Sequence, residues 1–163
     1  MQNIENIVDT VLFESEDLIV STGNDENKKY GMADIDLGTP PHCYTSMQTR
    51  LLDVIPESSV TIAIPVLESY CNPAGSMQGG YISAAFDNAF GPLCILATRT
   101  PRTTALNINT SYHRPIFPGD ELIITATVQS KGRTMIHILA EAYNREKQLI
   151  ATANTQYLIL NEK

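Results

Sequence analysis

Basic residues are scarce in this chain: eleven Lys and Arg stand against eighteen Asp and Glu, a formal net charge of −7. That balance argues against nucleic acid or an anionic membrane as a partner, because both require clustered cations. Cysteine is scarce too. Cys43, Cys71 and Cys94 are odd in number, far apart and without metal-ligand spacing, which suits reduced thiols in a cytosol better than a disulfide frame. No run of about 18 apolar residues exists to span a bilayer. The start, Met1 to Asn6, has neither the basic residues nor the apolar run of a secretory signal. A soluble, cytoplasmic protein with no metal and no organic cofactor is the expectation. Internal repeats and low-complexity segments are also lacking.

What is present is enough for one domain with a core: 163 residues, 43% hydrophobic and 18% charged. Ile4, Ile7, Val8, Val11 and Leu12 recur at helical spacing and predict a short amphipathic helix over 2–16. Residues 21–42 are polar and broken by glycine and proline, as a loop is. Met47, Leu51 and Leu52 suggest a second short helix within 43–55. Residues 1–55 are therefore read as an N-terminal extension and 56–163 as the main domain. There the pattern sharpens, since Val60, Ile62, Ile64 and Val66 alternate as in a half-buried strand over 58–69. A turn at Asn72 to Gly75 leads into a nearly all-apolar helix over 78–98, which Pro92 is expected to kink or close. Four strands follow, at 103–114, 120–131, 133–144 and 148–160, with hairpin connections at 118–120, 131–133 and 144–147. In the last three strands both alternating sets are partly apolar, so both faces are expected to be covered. The sum is an α+β chain that buries one long helix against an antiparallel meander.

Two features of the long helix carry chemistry. Gly79 and Gly80 open it with backbone N–H groups that no earlier turn satisfies, and a carbonyl oxygen or oxyanion there gains from those donors and from the helix dipole. The same glycines also serve tight packing of helix on sheet, and the sequence leaves both readings open. Asp87 is a carboxylate on an otherwise apolar helix, which points to pairing or function. Eight residues at about 1.5 Å rise put Gly79 and Asp87 roughly 12 Å apart. One helix cannot bring both to one carbonyl group, whereas two helices antiparallel across a two-fold axis can. A homodimer with active sites at the interface follows from that spacing. His42, His113 and His137 are scattered and form no metal pattern, and Cys94 reads as a small core residue.

Asn72, Gly75, the run Gln78-Gly79-Gly80 and Asp87 with the following Asn-Ala-Phe-Gly-Pro resemble the signature of hotdog-fold acyl-CoA thioesterases of the phenylacetic-acid-degradation type. Tyr112-His113-Arg114-Pro115, the run from Pro118 to Leu122, Lys131-Gly132-Arg133 and Leu149-Ile150-Ala151 extend the likeness over about residues 58–160. The resemblance implies a hotdog fold, a long central helix wrapped by a curved antiparallel sheet, in a homodimer or homotetramer that hydrolyses acyl-CoA to free acid and CoA. It makes Asp87 the nucleophile or general base, Gly79 the amide that polarises the thioester carbonyl, and Asn72 an orienting group for water or the acyl carbonyl. Gln78 stands where many members carry His, and it can donate a hydrogen bond but cannot titrate. Thr104 is the nearest candidate for the water-positioning hydroxyl of relatives. Substrate binding falls to Gly80, Asn88, Arg114, Lys131 and Arg133, the basic three as partners of the CoA phosphates. The rival implied by Gln78 and the N-terminal extension is a non-catalytic acyl-CoA or lipid-binding hotdog protein.

Overall fold

In the computed structural model residues 40–160 are described. The expected helix over 2–16 and nearly all of the loop over 21–42 lie outside them. The elements run α1 (His42–Ser46), β1 (Arg50–Ile55), β2 (Ser59–Pro65), a 3-10 turn (Glu68–Tyr70), α2 (Gly79–Thr98), β3 (Thr103–Tyr112), β4 (Glu121–Lys131), β5 (Met135–Tyr143) and β6 (Leu149–Ile159). The six strands make one antiparallel sheet in the order β1-β2-β4-β5-β6-β3. Register shifts at Leu51/Asp53, Ala105/Asn107, Val128/Ser130 and Ala142/Tyr143 place bulges in four of the five strand pairs. Bulges bend and twist a ladder, and here they curve the sheet around α2.

The long helix forms as its pattern predicts, from Gly79 to Thr98, and it is the centre of the core. Phe86, Phe90, Leu93 and Cys94 are fully buried against Ile62 and Ile64 of β2, Leu122 and Ile124 of β4, and Ile136 and Ile138 of β5. Burial pushes the Cys94 thiol pKa up, in keeping with its core position.

Four expectations need correction. Residues 50–55 are not helix but strand β1, paired with β2, so the division after residue 55 runs into the turn of the β1–β2 hairpin. The last four strands are not a consecutive meander: β3 pairs with β6, and the Pro118-Gly119-Asp120 turn joins strands that are not neighbours. Only the concave face of β4 to β6 is covered in the single chain, with Thr125, Thr127 and Leu139 facing outward and exposed. Pro92 neither closes nor divides α2, which runs on for six more residues, through Thr98.

The tolerance of Pro92 has a local cause. Proline at 92 removes the N–H that would bond to the carbonyl of residue 88, four positions earlier. That carbonyl accepts a hydrogen bond from the Tyr44 hydroxyl of α1 instead. Beside it, the Asn88 side chain donates to Thr49 Oγ1 at 3.2 Å and to Met47 Sδ at 3.5 Å. Residues 44–49 are thus latched onto the middle of α2 by polar contacts in an otherwise apolar setting. At its C-terminal end α2 is held by cations: Lys131 Nζ donates to the Ala97 carbonyl at 2.7 Å, and Arg99, the left-handed cap residue, pairs with Glu57 at 2.7 Å.

Tyr44→Phe should lower stability by about 1–3 kcal/mol, the cost of leaving a buried acceptor unpaired. In a Pro92→Ala background, where the helix supplies its own donor, the same change should cost clearly less. Burial also pushes the Tyr44 hydroxyl pKa above its ordinary value of 10.0. The folded state therefore keeps a proton that the unfolded chain releases, and the latch contributes fully below about pH 10 and fades as pH rises beyond it. Urea denaturation of wild type and the three variants at pH 8 and pH 10.5 checks both expectations; equal costs with and without Pro92 would refute the latch.

Candidate active site

Gln78 caps the start of α2 through its backbone, its carbonyl accepting from the amides of Tyr81 at 2.9 Å and Ile82 at 3.2 Å. Its side chain is exposed and has no hydrogen-bond partner among the described residues. The amides of Gly79 and Gly80 point out of the first turn and likewise meet no acceptor among the described residues. Gly79 is pinned from the other side. Its carbonyl accepts from Tyr112 Oη at 2.9 Å, and a Cβ at this position would lie 2.9 Å from the Tyr112 ring. The same hydroxyl meets Ser83 Oγ at 2.9 Å, which in turn meets Thr110 Oγ1 at 2.9 Å. Glycine at 79 thus allows close approach of β3 and leaves an open donor pair.

Asn72 builds the turn that presents this helix start. Its Oδ1 accepts from the Ala74 amide at 2.9 Å and its Nδ2 donates to Ser76 Oγ at 3.1 Å, an Asx turn whose strands meet at the Cys71–Met77 bridge. Both side-chain functions are engaged within the turn, so its visible role is to shape the approach to Gly79.

Asp87 lies two turns further along α2 and is exposed in the single chain. The expected buried carboxylate is therefore corrected: with Gly80 and Ala84 before it, Asp87 sits on an exposed stripe of α2. One oxygen, Oδ1, accepts from the Tyr157 hydroxyl of β6 at 3.1 Å. Burial, and then the neighbouring Asp87 charge, push the Tyr157 pKa far up, so this phenol stays protonated and donates to Asp87. Oδ2 has no partner among the described residues. Asp87 and Tyr157 stand at a cleft of about 370 Å³ whose other walls are mostly apolar.

The remaining candidates are dispersed. Asn88 is buried, its side chain directed to Thr49 and Met47 and not to the cleft mouth. Thr104 is exposed on β3 opposite Leu158, one position from the Ala105–Tyr157 pair. Arg114 donates to the Leu149 carbonyl at 3.0 Å near the N-terminal end of α2. Lys131 caps the opposite end of that helix, roughly 30 Å away for its length of 20 residues. Arg133 is exposed beyond Lys131 and has no partner among the described residues. One chain therefore does not gather the three cations into one phosphate site. No group of three or more potential metal-ligating side chains occurs among the described residues, and none of their helices is long and apolar enough to cross a membrane.

Two contributors escape a reading of the sequence. Tyr157 is one apolar member of a strand pattern, and Tyr44 lies in a segment read as loop and short helix. The signal that could have found Tyr44 is Pro92, since a proline inside a buried helix leaves the carbonyl four residues earlier in need of a donor.

Residues 74–151 match the family model of the thioesterase superfamily. A curated relative from Zymomonas mobilis, an uncharacterized acyl-CoA thioester hydrolase, is 26% identical over 97 residues, which span 60% of this chain and 65% of the relative. The fold matches the Escherichia coli PaaI protein from the phenylacetic acid degradation operon with a TM-score of 0.68 at 18% identity, over 86% of this chain and 95% of that one. It matches zebra fish thioesterase superfamily member 2 with a TM-score of 0.68 at 22% identity, over 84% of this chain and 97% of that one. A curved six-stranded antiparallel sheet around one long helix is the hotdog fold, and the stretch over 74–151, a little under half of the chain, is similar to the thioesterase superfamily.

Proposed function

We propose that the protein hydrolyses an acyl-CoA thioester to a free carboxylic acid and CoA in a homodimer, with Asp87 of one chain and Gly79 of the other serving each site. The observation that carries this reading is the carboxylate of Asp87, half-engaged by Tyr157, uncovered on its helix and next to an apolar cleft. Its free oxygen takes a proton from water as the water oxygen bonds to the thioester carbonyl carbon. The developing oxyanion is held by the Gly79 amide at the positive end of a helix. Collapse of the tetrahedral adduct breaks the C–S bond, and the leaving thiolate recovers the proton from Asp87. Direct attack by Asp87 through a mixed anhydride that water then opens reaches the same products, and label found in Asp87 after single-turnover hydrolysis in ¹⁸O-water would mark that route.

The need for a second chain rests on distance, since Gly79 and Asp87 lie roughly 12 Å apart on one rigid helix. Support comes from β3. It is a ten-residue strand at the end of the sheet, free of charge and proline, with Leu106 and Tyr112 each 52% exposed. Unprotected edges of this kind pair with other strands, and pairing with β3 of a second copy would continue the sheet. The uncovered stripe of α2 before Asp87, Gly80 and Ala84, is small enough for a second helix to come close. Arg133 is the best placed of the three basic candidates for the CoA phosphates, because Lys131 and Arg114 already serve backbone carbonyls.

Asp87→Asn should lower kcat for acyl-CoA hydrolysis by a factor on the order of 10² to 10⁴ without changing the dimer. Thiol release from a panel of acyl-CoA substrates, with the mass in solution, measures both. Turnover at the wild-type rate would sink the mechanism, and tight binding of acyl-CoA by the wild type with no thiol release would favour the non-catalytic binding protein. Leu106→Lys places a charge on the free edge and should yield monomers that have lost activity. Monomers retaining full kcat/KM would show that one chain suffices.

A further inference from the structure

The cleft beside Asp87 is larger and more apolar than the attack of water requires. Its inner walls are aliphatic, with Leu51, Val54 and Val60 from the β1–β2 hairpin facing Ile95 and Leu96 of α2. Pro40, Pro41, Cys43 and Tyr44 close it from the N-terminal side, and the Tyr44 hydroxyl bond to the Asn88 carbonyl fixes that roof to the helix bearing Asp87. Polar side chains on the lining are confined to Asp87 and Tyr157 at one end, Tyr44 and Asn88, which bond to each other's segment, and the Cys43 thiol. The walls formed by Leu51, Val54, Val60, Ile95 and Leu96 carry no polar side chain.

Resting on the reading of Asp87 as the hydrolytic carboxylate, we propose that this cleft takes the acyl group and that the protein prefers an unbranched medium-chain aliphatic acyl-CoA. At roughly 30 Å³ for a water-sized group, about 370 Å³ holds on the order of a dozen methylene-sized groups. A decanoyl chain entering at Asp87 fills that space, a palmitoyl chain overruns the roof, and an acetyl group leaves it empty. Between the Tyr44 roof and Tyr157 beside Asp87 the walls are aliphatic, which favours a chain over a ring. Gly91 is the residue on which length discrimination turns. It lines the cleft one helical turn beyond Asp87, and a Cβ built there meets nothing within 4 Å, so the backbone leaves room for a side chain to begin there.

The test compares kcat/KM for acetyl-, hexanoyl-, decanoyl-, palmitoyl- and phenylacetyl-CoA in wild type, Gly91→Leu and Ile95→Ala. Wild type should favour decanoyl-CoA. Gly91→Leu should lower the decanoyl-to-acetyl ratio at least tenfold, the scale on which a hydrophobic pocket senses a few methylenes. Ile95→Ala should raise the palmitoyl-to-decanoyl ratio. Ratios within one variant are insensitive to the fraction folded. The same comparison by calorimetric binding of decanoyl-CoA and acetyl-CoA, in an Asp87→Asn background, reads the pocket without turnover. Binding ratios that shift while no substrate releases thiol in wild type would leave the pocket standing and remove the hydrolysis. Ratios unmoved by both substitutions, or a wild-type preference for phenylacetyl-CoA, would overturn the assignment.

Discussion

The structure depends on one constraint: a single helix is wrapped by a sheet that cannot close around it. α2 is apolar on nearly every side because β2 and β4 to β6 curve over it, and their bulges supply the curvature. A six-stranded sheet of this kind covers most of the helix circumference and leaves a seam. The seam holds exposed residues of the helix, Gly80, Ala84 and Asp87. The same constraint leaves β3 as an uncovered end of the sheet. The helix seam and the strand edge are thus two results of one incomplete enclosure, and a second copy that continued the sheet would lie near both.

That seam explains how a carboxylate comes to stand on an apolar helix. Deep burial would raise the cost of the charge by several kcal/mol. Full exposure would leave its orientation free. Asp87 avoids both, since the helix holds its backbone and a buried Tyr157 holds one oxygen from the sheet side. The tyrosine bears no charge, because its burial and the adjacent carboxylate both oppose ionisation. It can orient Asp87 without competing for the proton in the proposed reaction.

Much of this was legible in the sequence, and the illegible parts share a cause. The alternation of Val60, Ile62 and Ile64 and the run of small apolar residues after Gly79 report local periodicity, and β2 and α2 formed where those patterns lie. Asp87 and Gly79 stood out because their residue types are costly or unusual in such a helix. The segment over 43–55 misled because Met47, Leu51 and Leu52 fit a helical spacing, while β1 owes its state to pairing with β2 across a bulge. Likewise, the place of β3 beside β6 is set by closure of the sheet over about 50 residues of sequence, which no local pattern records. Lys131 is a phosphate ligand only by the family resemblance of its motif. Its ammonium donates to the Ala97 carbonyl of α2, a contact visible only once the β4–β5 turn is seen against the helix end.

Pro92 shows how a local defect can organise a site. Within α2 it withdraws a donor from the Asn88 carbonyl, and a buried carbonyl without a partner costs about 1–3 kcal/mol. An alanine at 92 would restore a backbone donor to that carbonyl, and the Tyr44 hydroxyl would no longer be its sole partner. With proline there, the cheapest remedy is a hydroxyl brought from outside the helix, and Tyr44 supplies it. The bond falls next to Asp87 in sequence and on the wall of the cleft that Asp87 borders. A segment before the first strand is thereby fixed where, on the proposed reading, the acyl chain would otherwise meet solvent. The proline that looked like a helix breaker is better understood as the anchor point of the cleft's roof.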